Sequence, residues 1–205
     1  MEPSITKKSD EKPANCGNNL LSGDEEYIEE AFKIAEIYHR KRVLLKESKG
    51  NSDVLSGLDS IIKEIEVLFW QRVGDGKKHG IKFVFEEIAD KCKLDLYEKR
   101  LLLFFFYLEY FAIEKNVCLE DELLLIFDTE NSLLSRMCNM NYFRADATLF
   151  KEYLLCRHYD SNSHSARVRI ALSSKAIDIV SAALNGRECI ERCFKCDTVI
   201  EKDLR

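Results

Sequence analysis

The sequence is poor in residues that break secondary structure, with 2 prolines and 8 glycines in 205 positions. So little turn material excludes a hairpin-rich sandwich or barrel, which needs a turn signal about every 8–12 residues. It also lacks an excess of positive charge. The net charge of −5 argues against broad affinity for phosphate backbones, which requires a basic face. Long apolar runs are missing too. The longest, Leu101 to Leu108, falls far short of the roughly 20 residues that span a bilayer. The opening Met1-Glu2-Pro3-Ser4, followed by Lys7 and Lys8, has no apolar stretch of the signal-peptide kind. The expectation is a cytoplasmic chain with no membrane partner. Its 8 cysteines are then reduced thiols that pack as small hydrophobes and not a disulfide scaffold.

What is present is 46% apolar and 33% charged residues, a globular composition with helical character. Residues 1–21 are polar and aperiodic and read as a disordered lead-in. Ser22-Gly23-Asp24-Glu25 fits a capping box for a helix to about residue 48. Ile28, Phe32, Ala35 and Val43 form its stripe, widened by Ile34, Ile37, Tyr38 and Leu45. A second helix, capped by Asp53 and running to about residue 73, is expected to bury Leu58, Ile61, Ile62, Ile65, Leu68 and Phe69. Residues 22–73 therefore read as a helical hairpin. The run Gly74-Asp75-Gly76-Lys77-Lys78-His79-Gly80 reads as a linker.

Beyond it, residues 81–92 read as a helix, and Asp95 with Glu98 caps a helix over 97–116 that is apolar nearly all round. Such a helix belongs at the centre of a domain. Short helices over 120–127, 131–140 and about 145–153 precede two strands, 154–159 and 167–172, around the polar loop 160–165. That is the order of a winged helix-turn-helix. A helix over 174–184 stops at Asn185-Gly186. The expected fold is mainly α: a helical hairpin, then a winged-helix domain over 81–186 with a two-stranded wing, then a helical tail over 187–205.

Four stretches carry a likeness: Leu96-Tyr97-Glu98-Lys99-Arg100-Leu101-Leu102-Leu103, Tyr107-Leu108-Glu109-Tyr110, Leu149-Phe150-Lys151-Glu152-Tyr153-Leu154-Leu155 and Val168-Arg169-Ile170-Ala171-Leu172-Ser173. Together they resemble the amino-terminal region of a group of prokaryotic AAA-type ATPases. The resemblance implies a regulatory or substrate-selecting front region, whose partner is a protein: an ATPase module or its substrate. The motor's phosphate loop is absent from the sequence. In the glycine-rich run Lys77 is followed by Lys78, with no Ser or Thr to meet magnesium. No cofactor and no ATP hydrolysis are expected.

Cys189-x-x-x-Cys193-x-x-Cys196 is the sharpest local pattern. The spacing is that of three cluster ligands in radical S-adenosylmethionine enzymes, yet Lys195 stands where those enzymes usually place an aromatic residue. A zinc site would need a fourth ligand from Cys156, His158 or a partner chain. The favoured reading is one helical face (i, i+4, i+7) that packs against the domain, with no metal. His39, His79, His158 and His164 are scattered, so no nucleophile–base–acid constellation is signalled, and no catalytic residue is assigned. For partner or nucleic-acid contact the candidates are Arg136, Arg157, His158, Arg167 and Arg169, on the second short helix and the wing. The densest basic cluster, His39-Arg40-Lys41-Arg42 with Lys46 and Lys49, reads as a solvated helix face. A non-catalytic protein-interaction module is favoured over a winged-helix DNA-binding regulator.

Overall fold

Helix α1 spans Asp24–Lys46 and begins at Gly23 without a side-chain cap of its own. Ser22 instead donates through its N–H and its hydroxyl, at 2.7 and 2.9 Å, to Glu26 Oε2. The carboxylate that answers Ser22 is therefore Glu26 and not the expected Glu25. Leu21, placed in the lead-in by its polar neighbours, is fully buried. The computed structural model describes residues 20–47, 52–111, 117–130, 132–159 and 168–185. Most of the lead-in, the 160–165 loop, Arg167 and the tail 187–205 lie outside those residues.

Helix α2 (Ser52–Lys78) runs antiparallel to α1, as its cross-links show. Arg72 meets Glu26 and Glu30 at one end, Glu66 accepts from the Tyr38 hydroxyl in the middle, and Asp59 meets Lys41 at the other. The buried face of α2 is Asp59, Ile62, Glu66, Phe69, Val73 and Gly76, in steps of three and four. Ile61 and Leu68, expected inside, are 46% and 55% exposed. The face is rotated because Lys41, Tyr38 and Arg100 draw two carboxylates into the seam. Hydropathy alone would have placed those carboxylates in water.

The glycine-rich run is no linker, since α2 continues through it to Lys78. Gly76 is buried against Phe83, where a Cβ would sit 2.9 Å from the ring carbon Cζ. Lys77 Nζ bridges to Glu86 and Asp90 at 3.3 and 3.0 Å. Tertiary packing overrides the weak helix propensity of glycine here.

Helix α3 (Val84–Cys92) ends in Lys93, whose φ of 56° is left-handed. The N–H of Leu94 then reaches back to the Ala89 carbonyl at 2.8 Å, a closure usually given to glycine. Helix α4 (Leu96–Phe111) opens on the expected reciprocal cap. The N–H of Asp95 donates to Glu98 at 3.0 Å and the N–H of Glu98 to Asp95 at 2.9 Å. Every residue from Leu101 to Phe106, and Leu108, is buried. Helix α4 packs on α1 and under the sheet, which makes it the centre of the core. The expected continuation to 116 covers residues outside those described.

Strand β1 (Val117–Leu119) was too short to be expected. It leads into α5 (Glu120–Ile126), α6 (Leu133–Asn139) with a 3-10 turn over Met140–Phe143, and α7 (Thr148–Lys151). The third helix is shorter than the expected 145–153: it starts after the extended Ala147, and the chain turns left-handed at Tyr153, φ 54°. Strands β2 (Leu155–Tyr159) and β3 (Val168–Leu172) precede α8 (Ser174–Asn185). The sheet is three-stranded and antiparallel in the order β1-β3-β2, where two strands were expected. The fold is mainly helical, and one continuous core joins Leu21, α1 to α5, the sheet and Ile179 of α8. Among the described residues no helix is long and apolar enough to cross a membrane.

Candidate partner-binding surface

Asp128 organises the connection between α5 and α6. Its carboxylate, fully buried, accepts the N–H groups of Glu130 and Ser132 at 3.2 and 3.4 Å. Its carbonyl receives Lys41 Nζ at 2.9 Å. Ser132 then caps α6 by accepting from the N–H of Ser135 at 3.4 Å. The outcome is a short, well-anchored helix with no buried residue at all.

What α6 shows to solvent is apolar. Leu133 and Leu134 are 73% and 74% exposed, and Met137 and Met140 are 58% and 52%. Positions i, i+1, i+4 and i+7 fall on one side of the helix and its 3-10 extension. Apolar residues gathered in this way mark a contact surface, whereas scattered ones need no explanation. Methionine side chains adapt to varied partner shapes. The only cation on α6, Arg136, turns back, and its Nε donates to the buried Asp128 carboxylate. That pairing engages its Nε, while 37% of the side chain stays exposed.

Cross-strand register sorts the wing residues. Arg157 lies opposite Ile170 on the core side of the sheet, half-buried, with its guanidinium 4.6 Å from the centre of the Phe150 ring. Glu120 nearby has its carboxyl raised by burial, a shift that Arg157 opposes. His158 lies opposite Arg169 on the other side, and both are exposed. His158 Nε2 is 3.3 Å from Cys156 Sγ, a thiol raised by burial. The five candidates are therefore not one surface. His158 and Arg169 face solvent together, Arg157 is half-buried on the core side, Arg136 is paired with Asp128 on a side chain still 37% exposed, and Arg167 lies outside the described residues.

The basic cluster on α1 is a solvated face only at Arg40 and Lys46, which are exposed, and Lys49 lies outside the described residues. Lys41 and Arg42 are buried. Lys41 meets Asp59 at 2.6 Å, while Arg42 donates to the Val117 carbonyl at 2.9 Å and lies 3.5 Å from Glu122. Arg40 pairs with Glu36 and Lys46 approaches Glu122. The cysteine triad lies outside the described residues, among which no group of three or more His, Cys, Asp or Glu side chains could hold a metal ion.

Apart from the α6 face, a groove of about 900 Å³ lies between α1, α3 and α4. Its floor is apolar and its rim carries α1 carboxylates. Sequence reasoning missed both surfaces for the same reason: an apolar stripe reads as core whether it meets the chain's own helices or another molecule. No protein-family model, no curated protein and no solved structure matches this chain.

Proposed function

We propose that the chain is a non-catalytic protein-interaction or regulatory module of winged-helix type that offers α6 to a protein partner. The order α4, β1, α5, α6, α7, β2, β3, with the one-turn α7 between α6 and the wing, and the sheet order β1-β3-β2 support the winged-helix reading. In such domains the second helix of the helix-turn-helix is the reading head for duplex DNA. Here that helix is α6, and one observation carries the proposal: its solvent face is Leu133, Leu134, Met137 and Met140, with Arg136 locked to Asp128. An apolar reading head suits a protein surface. The resemblance of residues 94–184 to the front region of AAA-type ATPases makes an ATPase module, or its substrate, the partner of choice.

The test is site-specific photocrosslinking in cells from position 134, with position 63 on exposed α2 as control. One protein should be captured from 134 and lost when Leu133→Asp/Met137→Asp is added, a change that should leave thermal stability at the parent's level because α6 buries nothing. Random duplex DNA at about 150 mM salt should bind no tighter than the non-specific range of roughly 10⁻⁴–10⁻⁶ M. Nanomolar binding to a selected duplex, lost in His158→Ala/Arg169→Ala, would replace this reading with a DNA-binding regulator.

A further inference from the structure

The groove between α1, α3 and α4 makes no use of α6 and points to a second ligand. Phe85, Ile88 and Phe106 form its floor, and Ile28 and Phe32 stand half-buried on its α1 wall. At its lip Tyr110 and Phe111 are 46% and 61% exposed, the latter in ring contact with Phe32 at 5.2 Å. Its polar groups are confined to the rim. There Asp24, Glu25, Glu29 and Glu36 oppose a single Lys33.

Each feature narrows the ligand. Small-molecule sites set a few convergent polar groups among apolar walls to fix orientation, and this floor offers aromatic and aliphatic carbon alone. A peptide that binds by strand addition needs a sheet edge to satisfy its backbone, and all three walls are helices. A helix satisfies its own backbone and asks only for an apolar trough with charge along its edge. The edge is acidic, which disfavours an anionic lipid surface. Asp24 accepts the N–H of Val84 at 2.6 Å, so its role is internal. Glu29 and Glu36 are held in i,i+4 pairs with Lys33 and Arg40 on an exposed face, where such pairs contribute little and exchange readily. Glu25 and Glu36, eleven positions apart, place negative charge along some three turns of α1.

From this we infer that the groove receives an amphipathic helix of another protein, with large apolar residues at i, i+3 or i+4, and i+7, and Lys or Arg on its flanks.

Two labelled peptides test this on the full chain by fluorescence anisotropy: a leucine–lysine helix with that spacing, and the same helix with glutamate for lysine. The lysine peptide should bind at least tenfold tighter, and more weakly as salt rises. Glu25→Lys/Glu36→Lys should reverse the preference, a change that simple loss of structure cannot produce. Phe111→Ser should weaken the lysine peptide at least tenfold with little change in melting temperature, since that ring is mostly exposed. Binding of neither peptide, equal binding of both, or an unreversed preference would overturn the inference. So would a dimer abolished by Phe111→Ser, which would seat a second copy in the groove. Slow thiol labelling at Cys193 that Phe111→Ser makes fast would seat the chain's own C-terminal segment there, and would overturn it equally.

Discussion

Lys41 Nζ lies 2.6 Å from Asp59 Oδ1, and both side chains are sealed from water, 4% and 6% exposed. The same ammonium donates to the Asp128 carbonyl, so one lysine ties the helical hairpin to the turn that carries α6. Removing one partner of a buried pair leaves an uncompensated charge, at about 3–5 kcal/mol. Lys41→Met should lose that much stability in urea denaturation. Lys41→Met/Asp59→Leu, which removes both charges, should recover most of it. A double variant as unstable as the single one would assign the loss to packing and the Asp128 contact instead.

The parts legible in the sequence are those governed by local rules. The reciprocal cap of Asp95 and Glu98 and the all-round apolar character of α4 both rest on residues near one another in the chain, and both appear as read. The parts that were not legible depend on distant partners. Asp59 and Glu66 enter the seam because Lys41, Tyr38 and Arg100 wait there. Gly76 stays helical because Phe83 packs over it. The pairing of β1 with β3 joins residues some fifty positions apart, such as Cys118 and Ile170. The hold of Asp128 on the Arg136 Nε, across eight positions and a turn, is likewise set by the fold.

The two glycines of α2 should respond to alanine with opposite signs. Gly76 has the buried Phe83 ring 2.9 Å from where a Cβ would lie, whereas nothing stands within 4 Å at Gly74. Overpacking a filled site costs about 1–3 kcal/mol, so Gly76→Ala should lower the melting temperature. Gly74→Ala should raise it, because alanine in a helix gains roughly 0.5–1 kcal/mol over glycine. A rise in both variants would mean that Phe83 does not pack on α2 as described.

Glu66 supplies a pH signature. Burial holds its carboxyl above the usual carboxylate range, outweighing Arg100 and the Tyr38 hydroxyl, which lower it. A carboxyl raised on folding contributes stability that is fully present below its unfolded pKa, about 4.3. That contribution is lost as pH rises through the folded value. Glu66→Gln mimics the neutral form, so the melting temperature of the parent minus that of the variant should fall as pH rises from about 4 to 7. A difference that grows with pH would show that the 2.7 Å pair with Arg100 outweighs the burial.

Thiol chemistry reads out the strand that the sequence concealed. Cys118 of β1 is fully buried, and burial is the main cause that pushes its thiol from 9.0 to about 12. Its thiolate fraction at neutral pH is then about a thousandfold below that of an ordinary cysteine, and the thiolate is the reactive form. Cys92 is pushed to about 11, Cys156 is half-buried, and Cys138 on α6 is exposed. Among the four cysteines of the described residues, iodoacetamide labelling followed by peptide mass spectrometry should therefore modify Cys138 first, Cys156 and Cys92 later, and Cys118 last. Because a buried thiol reacts only when its surroundings open, the Cys118 rate should track urea, while the Cys138 rate should not. Labelling of Cys118 as fast as Cys138 in the absence of denaturant would mean that β1 is not seated on β3, and the three-stranded sheet would have to be withdrawn.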